Sequence, residues 1–160
     1  MNEKEKMLAG KIYDPSDEEL TQMRLKAHKL CQSFNSLFED DKQRKALLDE
    51  LIPNQGERLF LQGPIYFDYG INTSFGSDCF ANFNFTVLDI CPVTIGDNVF
   101  FGPNCTIASP VHALMWQERN IFPIISKTRF IMNTAITSLR IPRRSTGRRL
   151  RASKIRFNSL

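Results

Sequence analysis

The chain has 160 residues, 42% of them hydrophobic, and a formal net charge of +4, which suits one domain with an apolar core. No run of 18 apolar residues occurs, and the charged start Met1-Asn2-Glu3-Lys4-Glu5-Lys6 has no apolar h-region, so neither a membrane helix nor a secretory signal is expected. Charge is unevenly placed: residues 121–160 hold ten basic and no acidic residues, which leaves 11 basic and 17 acidic residues before them, net −6. Cys31, Cys79, Cys91 and Cys105 form no Cys-x-x-Cys pair and read as reduced, buried thiols of a cytoplasmic protein.

Residues 1–53 read as a helical segment. Ser16-Asp17-Glu18-Glu19 has the spacing of a capping box, with Ser16 as the N-cap and Glu19 reaching back to it. Leu20, Met23, Ala27, Leu30, Cys31, Phe34 and Leu37 then recur at three and four, which predicts one apolar face of an amphipathic helix. A shorter helix is expected over about Asp41 to Leu51, stopping before Pro53. Such a pair cannot bury both of its faces, so it should pack on the chain beyond Pro53.

Residues 54–64 read as connecting and partly extended. Beyond them the period changes to six. Val93, Val99 and Cys105 repeat at that step, as do Ile95-Gly96, Phe101-Gly102 and Ile107-Ala108. Neither a helix period near 3.6 nor a strand period of 2 matches. A coil of short strands does, with an apolar residue inward and a small residue at each corner. Phe75-Gly76 and Ile95-Gly96 lie 20 residues apart, one turn of about 18 with two extra residues, which places a bulge at Leu88-Asp89-Ile90-Cys91-Pro92. Residues 65–120 then supply about three coils of a parallel β-helix. Asp97 and Asn98 suit the left-handed backbone of tight corners, and Gly96 and Gly102 are grouped with them. Nothing repeats at six after Asn120, although Phe122-Pro123-Ile124-Ile125 could form one more strand.

The ordered set Ala81-Asn82-Phe83-Asn84, Leu88-Asp89, Val93-Thr94-Ile95-Gly96-Asp97-Asn98-Val99, Gly102-Pro103-Asn104, Pro110-Val111-His112-Ala113-Leu114 and Glu118-Arg119-Asn120 resembles the maltose/galactoside O-acetyltransferases. These belong to the hexapeptide-repeat acyltransferases. Met7 to Asp14, Arg24-Leu25-Lys26-Ala27 and Pro64 to Gly70 are similar to the family's helical cap and its entry into the first coil. The resemblance covers about residues 1–121. It implies a mainly β fold with a helical cap: helices over 1–53 and a left-handed parallel β-helix, incomplete at about three coils, over 54–121. Residues 122–160, basic and Arg- and Ser-rich toward the end, read instead from their composition as a divergent, poorly ordered tail. The resemblance also implies a homotrimer with sites between subunits, acetyl-CoA as co-substrate, a small-molecule sugar as acceptor, and no metal. Membrane and nucleic-acid partners are not expected.

The resemblance places the catalytic histidine at His112. Imidazole titrates near neutrality and can take the hydroxyl proton as oxygen attacks a thioester. The alternative for His112 is a solvated loop position. His28 falls in the amphipathic helix and reads as a surface or packing residue. The cysteines have no base at a telling spacing, so direct transfer is expected. Asn82 corresponds to the family's asparagine at the acceptor and thioester site, and an amide both donates and accepts; a self-bonded corner asparagine is the alternative. Asp89 lies near the family's acceptor position, although Ile90 stands where many relatives have a second polar residue. Asp68, Asp14 and Asp17 are weaker acceptor candidates, and Asp17 also suits a helix N-terminal turn. Tyr66 and Tyr69 could offer a ring face to a sugar or pack in the core.

The family continues into further coils that hold coenzyme A, and no such motif comes after Asn120. An out-of-frame end or a genuine basic tail for an anionic partner both fit residues 122–160. Acetylation by this chain is therefore expected to be weak or absent. The alternative is a non-catalytic β-helix oligomerisation fragment.

Overall fold

The computed structural model describes residues 1–111, 115–117, 125–126 and 130–132. Three helices come first: α1 (Glu3–Leu8), α2 (Glu18–Asn35) and α3 (Gln43–Leu51). The capping box lies at α1, where Asn2 and Glu5 cap each other. At α2 the expected cap moves by one residue. Asp17 Oδ1 accepts from the Leu20 amide at 3.2 Å, while Ser16 donates its hydroxyl to Asp14 at 2.6 Å. A carboxylate one position closer to the helix leaves Ser16 no free amide to cap.

Twelve short strands come next: β1 (Asn54–Gln55), β2 (Phe60–Leu61), β3 (Ile65–Phe67), β4 (Thr73–Phe75), β5 (Phe80–Ala81), β6 (Phe85–Leu88), β7 (Val93–Ile95), β8 (Phe100–Phe101), β9 (Thr106–Ala108), β10 (Pro110–Val111), β11 (Ile125–Ser126) and β12 (Phe130–Met132). They stack as three parallel ladders, β1-β4-β7-β12, β2-β5-β8 and β3-β6-β9, with β10-β11 as a separate antiparallel pair. The first coil starts at Asn54, earlier than the period of six alone suggests, because Asn54 pairs with Ser74 and Phe60 with Phe80.

Each coil advances 20 residues, as in Ile65↔Phe85 and Thr86↔Thr106. Alternate residues along the coil point inward and make the core: Phe75, Cys79, Ala81, Phe85, Val87, Val93, Ile95, Val99, Phe101 and Ile107 are all buried. Inward positions step by six except at one corner, where Phe67 to Phe75 and Val87 to Ile95 step by eight. The bulge expected at 88–92 thus recurs at 68–72.

Asn98, Asn104, Asn84 and Asp78 turn corners with φ of 57 to 59°. Asp97, Gly96 and Gly102, expected to share that backbone, do not: among the described residues the left-handed glycines are Gly10, Gly63 and Gly70. A Cβ on Gly76 would stand 2.6 Å from the Gly96 carbonyl carbon and the Asp97 amide, so the need there is close approach between coils, not a left-handed backbone.

The helices close the first coil. Ala27, Cys31 and Phe34 of α2 and Leu48 and Leu51 of α3 join the β-helix core. The Asn35 amide clamps α2 to β3, donating to the Ile65 carbonyl at 2.9 Å and accepting from its amide at 2.7 Å. Buried Arg44 donates to the Leu61 and Gln62 carbonyls, both at 2.8 Å, with its guanidinium 4.0 Å from the Phe34 ring centre. A guanidinium can satisfy several carbonyls at once while stacking on a ring.

Most of the 122–160 tail lies outside the described residues. Two parts of it are strands: Ile125–Ser126 pairs with Pro110–Val111, and Phe130–Met132 continues the β7 ladder in parallel. Strand order therefore persists past the point where the period stops. Among the described residues, no helix is long and apolar enough to cross a membrane, and no cluster of three or more His, Cys, Asp or Glu side chains could hold a metal ion.

Candidate active site

The coil has three corners, and the candidate residues divide between two of them. Asn82 comes directly after β5, on the corner between the β5 and β6 ladders. Its Oδ1 accepts from the Phe83 amide at 2.7 Å, which is part of the corner role, and its backbone N–H donates to the Phe101 carbonyl of the next coil at 3.0 Å. This leaves the side-chain NH₂ for another partner. Beside it, Phe60, Phe80 and Phe100 form a ladder on the outer face of their sheet, with ring centres 6.0 and 6.2 Å apart. Phe60 and Phe100 are exposed.

Asp68, Asp89 and the N-terminal segment gather at the corner after β3 and β6. Asp68 is part-buried; burial pushes its carboxyl up, and His28 and Arg24 oppose that. His28 Nε2 stands 3.9 Å from Asp68 Oδ1, so the only other histidine of the chain faces a candidate site residue across the gap between α2 and the coil. Arg24 donates to the Tyr69 hydroxyl at 2.9 Å and the Pro15 carbonyl at 2.6 Å, tying α2 to this corner. Tyr69 and Tyr13 are both buried, which leaves Tyr69 no free ring face.

Asp89 is placed differently from the expectation of a sugar contact. It is 0% exposed. One oxygen accepts from the Tyr69 amide at 2.8 Å and the other from the Thr73 hydroxyl at 3.0 Å, with the Gly70 amide also donating. Burial outweighs these bonds and pushes its carboxyl up to about 6. Its reach is inward, tying the 88–92 bulge to the 68–72 bulge below, and no oxygen is offered to solvent.

Asp14 is exposed and accepts from the Ser16 amide and hydroxyl, which hold its carboxyl below the usual range. Asp17 is occupied as the α2 N-cap. His112 comes directly after β10 and lies outside the described residues. The thiols of Cys31, Cys79 and Cys105 are all pushed up by burial, Cys31 to about 11.

Residues 6–56 match the maltose acetyltransferase hexapeptide capping motif. The crystal structure of a maltose O-acetyltransferase from Clostridium difficile 630 superposes with a TM-score of 0.75 at 38% identity, covering 81% of this chain and 69% of that one. The chain belongs to the maltose/galactoside O-acetyltransferase family. As in its hexapeptide-repeat relatives, the parallel coil is a left-handed β-helix. A hexapeptide-repeat acetyltransferase of Vibrio cholerae O1 biovar eltor, complexed with acetyl coenzyme A, matches with a TM-score of 0.71 at 33% identity, over 79% of this chain and 69% of that one. The galactoside O-acetyltransferase of Escherichia coli K12 is 38% identical over 112 residues, which is 68% of this chain and 55% of that protein. Two other curated relatives are spanned over 63% and 62% of their length.

Sequence reasoning missed two groups at the candidate corner of Asp68. A lone helix histidine such as His28 gives no sign of what faces it. Arg24 reads in the sequence only as a landmark of the cap, because its bond to Tyr69 spans 45 residues.

Proposed function

We propose that the chain is built for transfer of an acetyl group from acetyl-CoA to a sugar hydroxyl, with His112 as general base. The observation that carries this reading is the superposition of the helical cap and coil on a maltose O-acetyltransferase. Acetyl-CoA would supply the acyl group already activated as a thioester. His112 takes the hydroxyl proton as the oxygen attacks, and returns it to the departing sulfur. The free NH₂ of Asn82 suits an oxygen that gains negative charge. Direct transfer is supported by the cysteines, since buried thiols with raised pKa are poor nucleophiles.

Asn82 and Asp68 occupy different corners of the β-helix, in successive coils, so a site using both draws them from neighbouring copies. The exposed Phe60-Phe80-Phe100 ladder leads toward Asn82, and an apolar strip of that kind supports burial against another subunit. A homotrimer is the assembly proposed. Asp68 and Asp14 remain the acceptor-facing carboxylates, while Asp89 and Asp17 act by holding the corner and the helix in place.

The donor chemistry fits the thioester end of acetyl-CoA better than its phosphates. Across residues 54–111 Arg58 is the only basic residue, and it is already engaged by Glu57 at 2.8 Å and Asp78 at 2.5 Å. Weak transfer is expected for that reason. The same observation favours, as a second reading, a non-catalytic oligomerising coil whose basic tail meets an anionic partner. Thiol release from acetyl-CoA with maltose as acceptor tests both. Turnover that disappears in His112→Ala and drops at least tenfold in Asn82→Ala supports the enzyme. No turnover and no acetyl-CoA binding, together with salt-sensitive binding of nucleic acid, would support the second reading.

A further inference from the structure

A groove of about 540 Å³ opens between α2 and the β3 corner, and the proposed chemistry uses only its Asp68 end. His28, Gln32 and Ser36 line one side at a spacing of four, the same stripe of α2, and Tyr66 and Asp68 line the other. From His28 to Ser36 the helix runs about 12 Å, longer than a single pyranose ring. Leu88 contributes an apolar patch beside Asp68. The wall is fixed, because Asn35 spends its amide on both backbone groups of Ile65.

The free groups in this groove have one chemistry in common. Among the described residues the Gln32 amide and the Tyr66 hydroxyl are not engaged by the chain, and Tyr66 is 50% exposed. With the Asp68 carboxylate and the His28 imidazole they present donors and acceptors beside a ring face, as neighbouring sugar hydroxyls and an apolar sugar face require. Among the described residues the guanidinium that bears on Asp68, that of Arg24, is held by Tyr69, Pro15 and Thr21. A carboxylate with no free cation beside it disfavours a phosphate.

We propose that this groove is a second carbohydrate subsite, which holds the non-reacting ring of a disaccharide or longer acceptor along α2. This rests on the sugar acetyltransferase reading of the Asp68 corner. It makes Gln32 and Tyr66 specificity residues, remote from the transferred acetyl group. One ring lies at the Asp68 corner, and its neighbour extends toward Ser36.

NMR-detected titration of the full chain with maltose and with glucose tests this. Maltose should bind about tenfold more tightly than glucose, the worth of one or two well-made hydrogen bonds. Gln32→Ala and Tyr66→Ala should each erase most of that ratio and leave glucose affinity unchanged. Both side chains are exposed, so folding should survive, which a circular dichroism spectrum checks. Equal affinities in the unmodified chain overturn the second subsite alone, as does a ratio that persists in both variants. Binding of neither sugar overturns the acceptor reading itself, and this inference with it.

Discussion

Asp89 offers a sharp test of how burial and hydrogen bonding balance in this coil. Its carboxyl is 0% exposed and sits at about 6, above the ordinary 3.8. A native pKa above the unfolded one means that the folded chain holds the proton more tightly between those two values. Stability is then greatest below the unfolded pKa and declines as pH rises through about 6. The rise corresponds to about 3 kcal/mol, which is a sizeable part of a small domain's stability. Asp89→Asn keeps an oxygen for the Tyr69 and Gly70 amides, and its NH₂ can donate to a Thr73 hydroxyl that turns to accept. The variant carries no charge to bury. At pH 7.5 it should match or exceed the parent, by up to about 3 kcal/mol, and at pH 4 the two should converge. Asp89→Ala leaves the same three donors unpaired and should lose about 3 kcal/mol or more at pH 7.5, and more still at pH 4, where the parent is most stable. Urea unfolding at fixed protein concentration, followed by circular dichroism at pH 4, 5.5 and 7.5, measures all three chains. The difference between parent and Asp89→Asn isolates this carboxyl from Asp68, whose own pKa is also raised. If Asp89→Asn falls as far as Asp89→Ala at pH 7.5, the ionised carboxylate is a net stabiliser and the reasoning is wrong.

Three further predictions concern the coil and its cap. Gly76→Ala should cost about 3 kcal/mol in urea unfolding, because its Cβ would press on the Gly96 and Asp97 backbone at 2.6 Å; a neutral outcome would mean that the coils can part freely. At Asn98, with φ of 57°, alanine should cost about 1 kcal/mol and glycine nothing, read as a difference in thermal midpoint between the two variants. Arg44→Ala removes two carbonyl partners and the stack on Phe34 and should cost about 3 kcal/mol; recovery by Arg44→Lys should be partial, since an ammonium cannot lie flat on the ring.

Much of this fold is legible in the sequence because its rule is local. A residue every six positions must point inward whatever the rest of the chain does, so Val93, Val99 and Ile95, Phe101, Ile107 announce a coil before any pairing is known. The α2 stripe of Leu20, Ala27, Cys31 and Phe34 is equally local, and so is the ordered series of short motifs that resembles the sugar acetyltransferases. The start of the first coil was not legible, since Asn54-Gln55 and Phe60-Leu61 become strands only because the coil above pairs with them. β12 is hidden for the same reason: it lies 37 residues from its partner, and no period bridges that distance.

The sequence alone therefore determined the period, the cap and the family, which depend on spacing along the chain. Tertiary structure decided what each polar side chain does, because that depends on what the next coil or the helix cap places beside it. Asp89 and Asp68 share a residue type and a similar place in successive coils. Burial turns the first inward onto Tyr69 and Thr73, while the cleft beside α2 leaves the second facing His28 and open space.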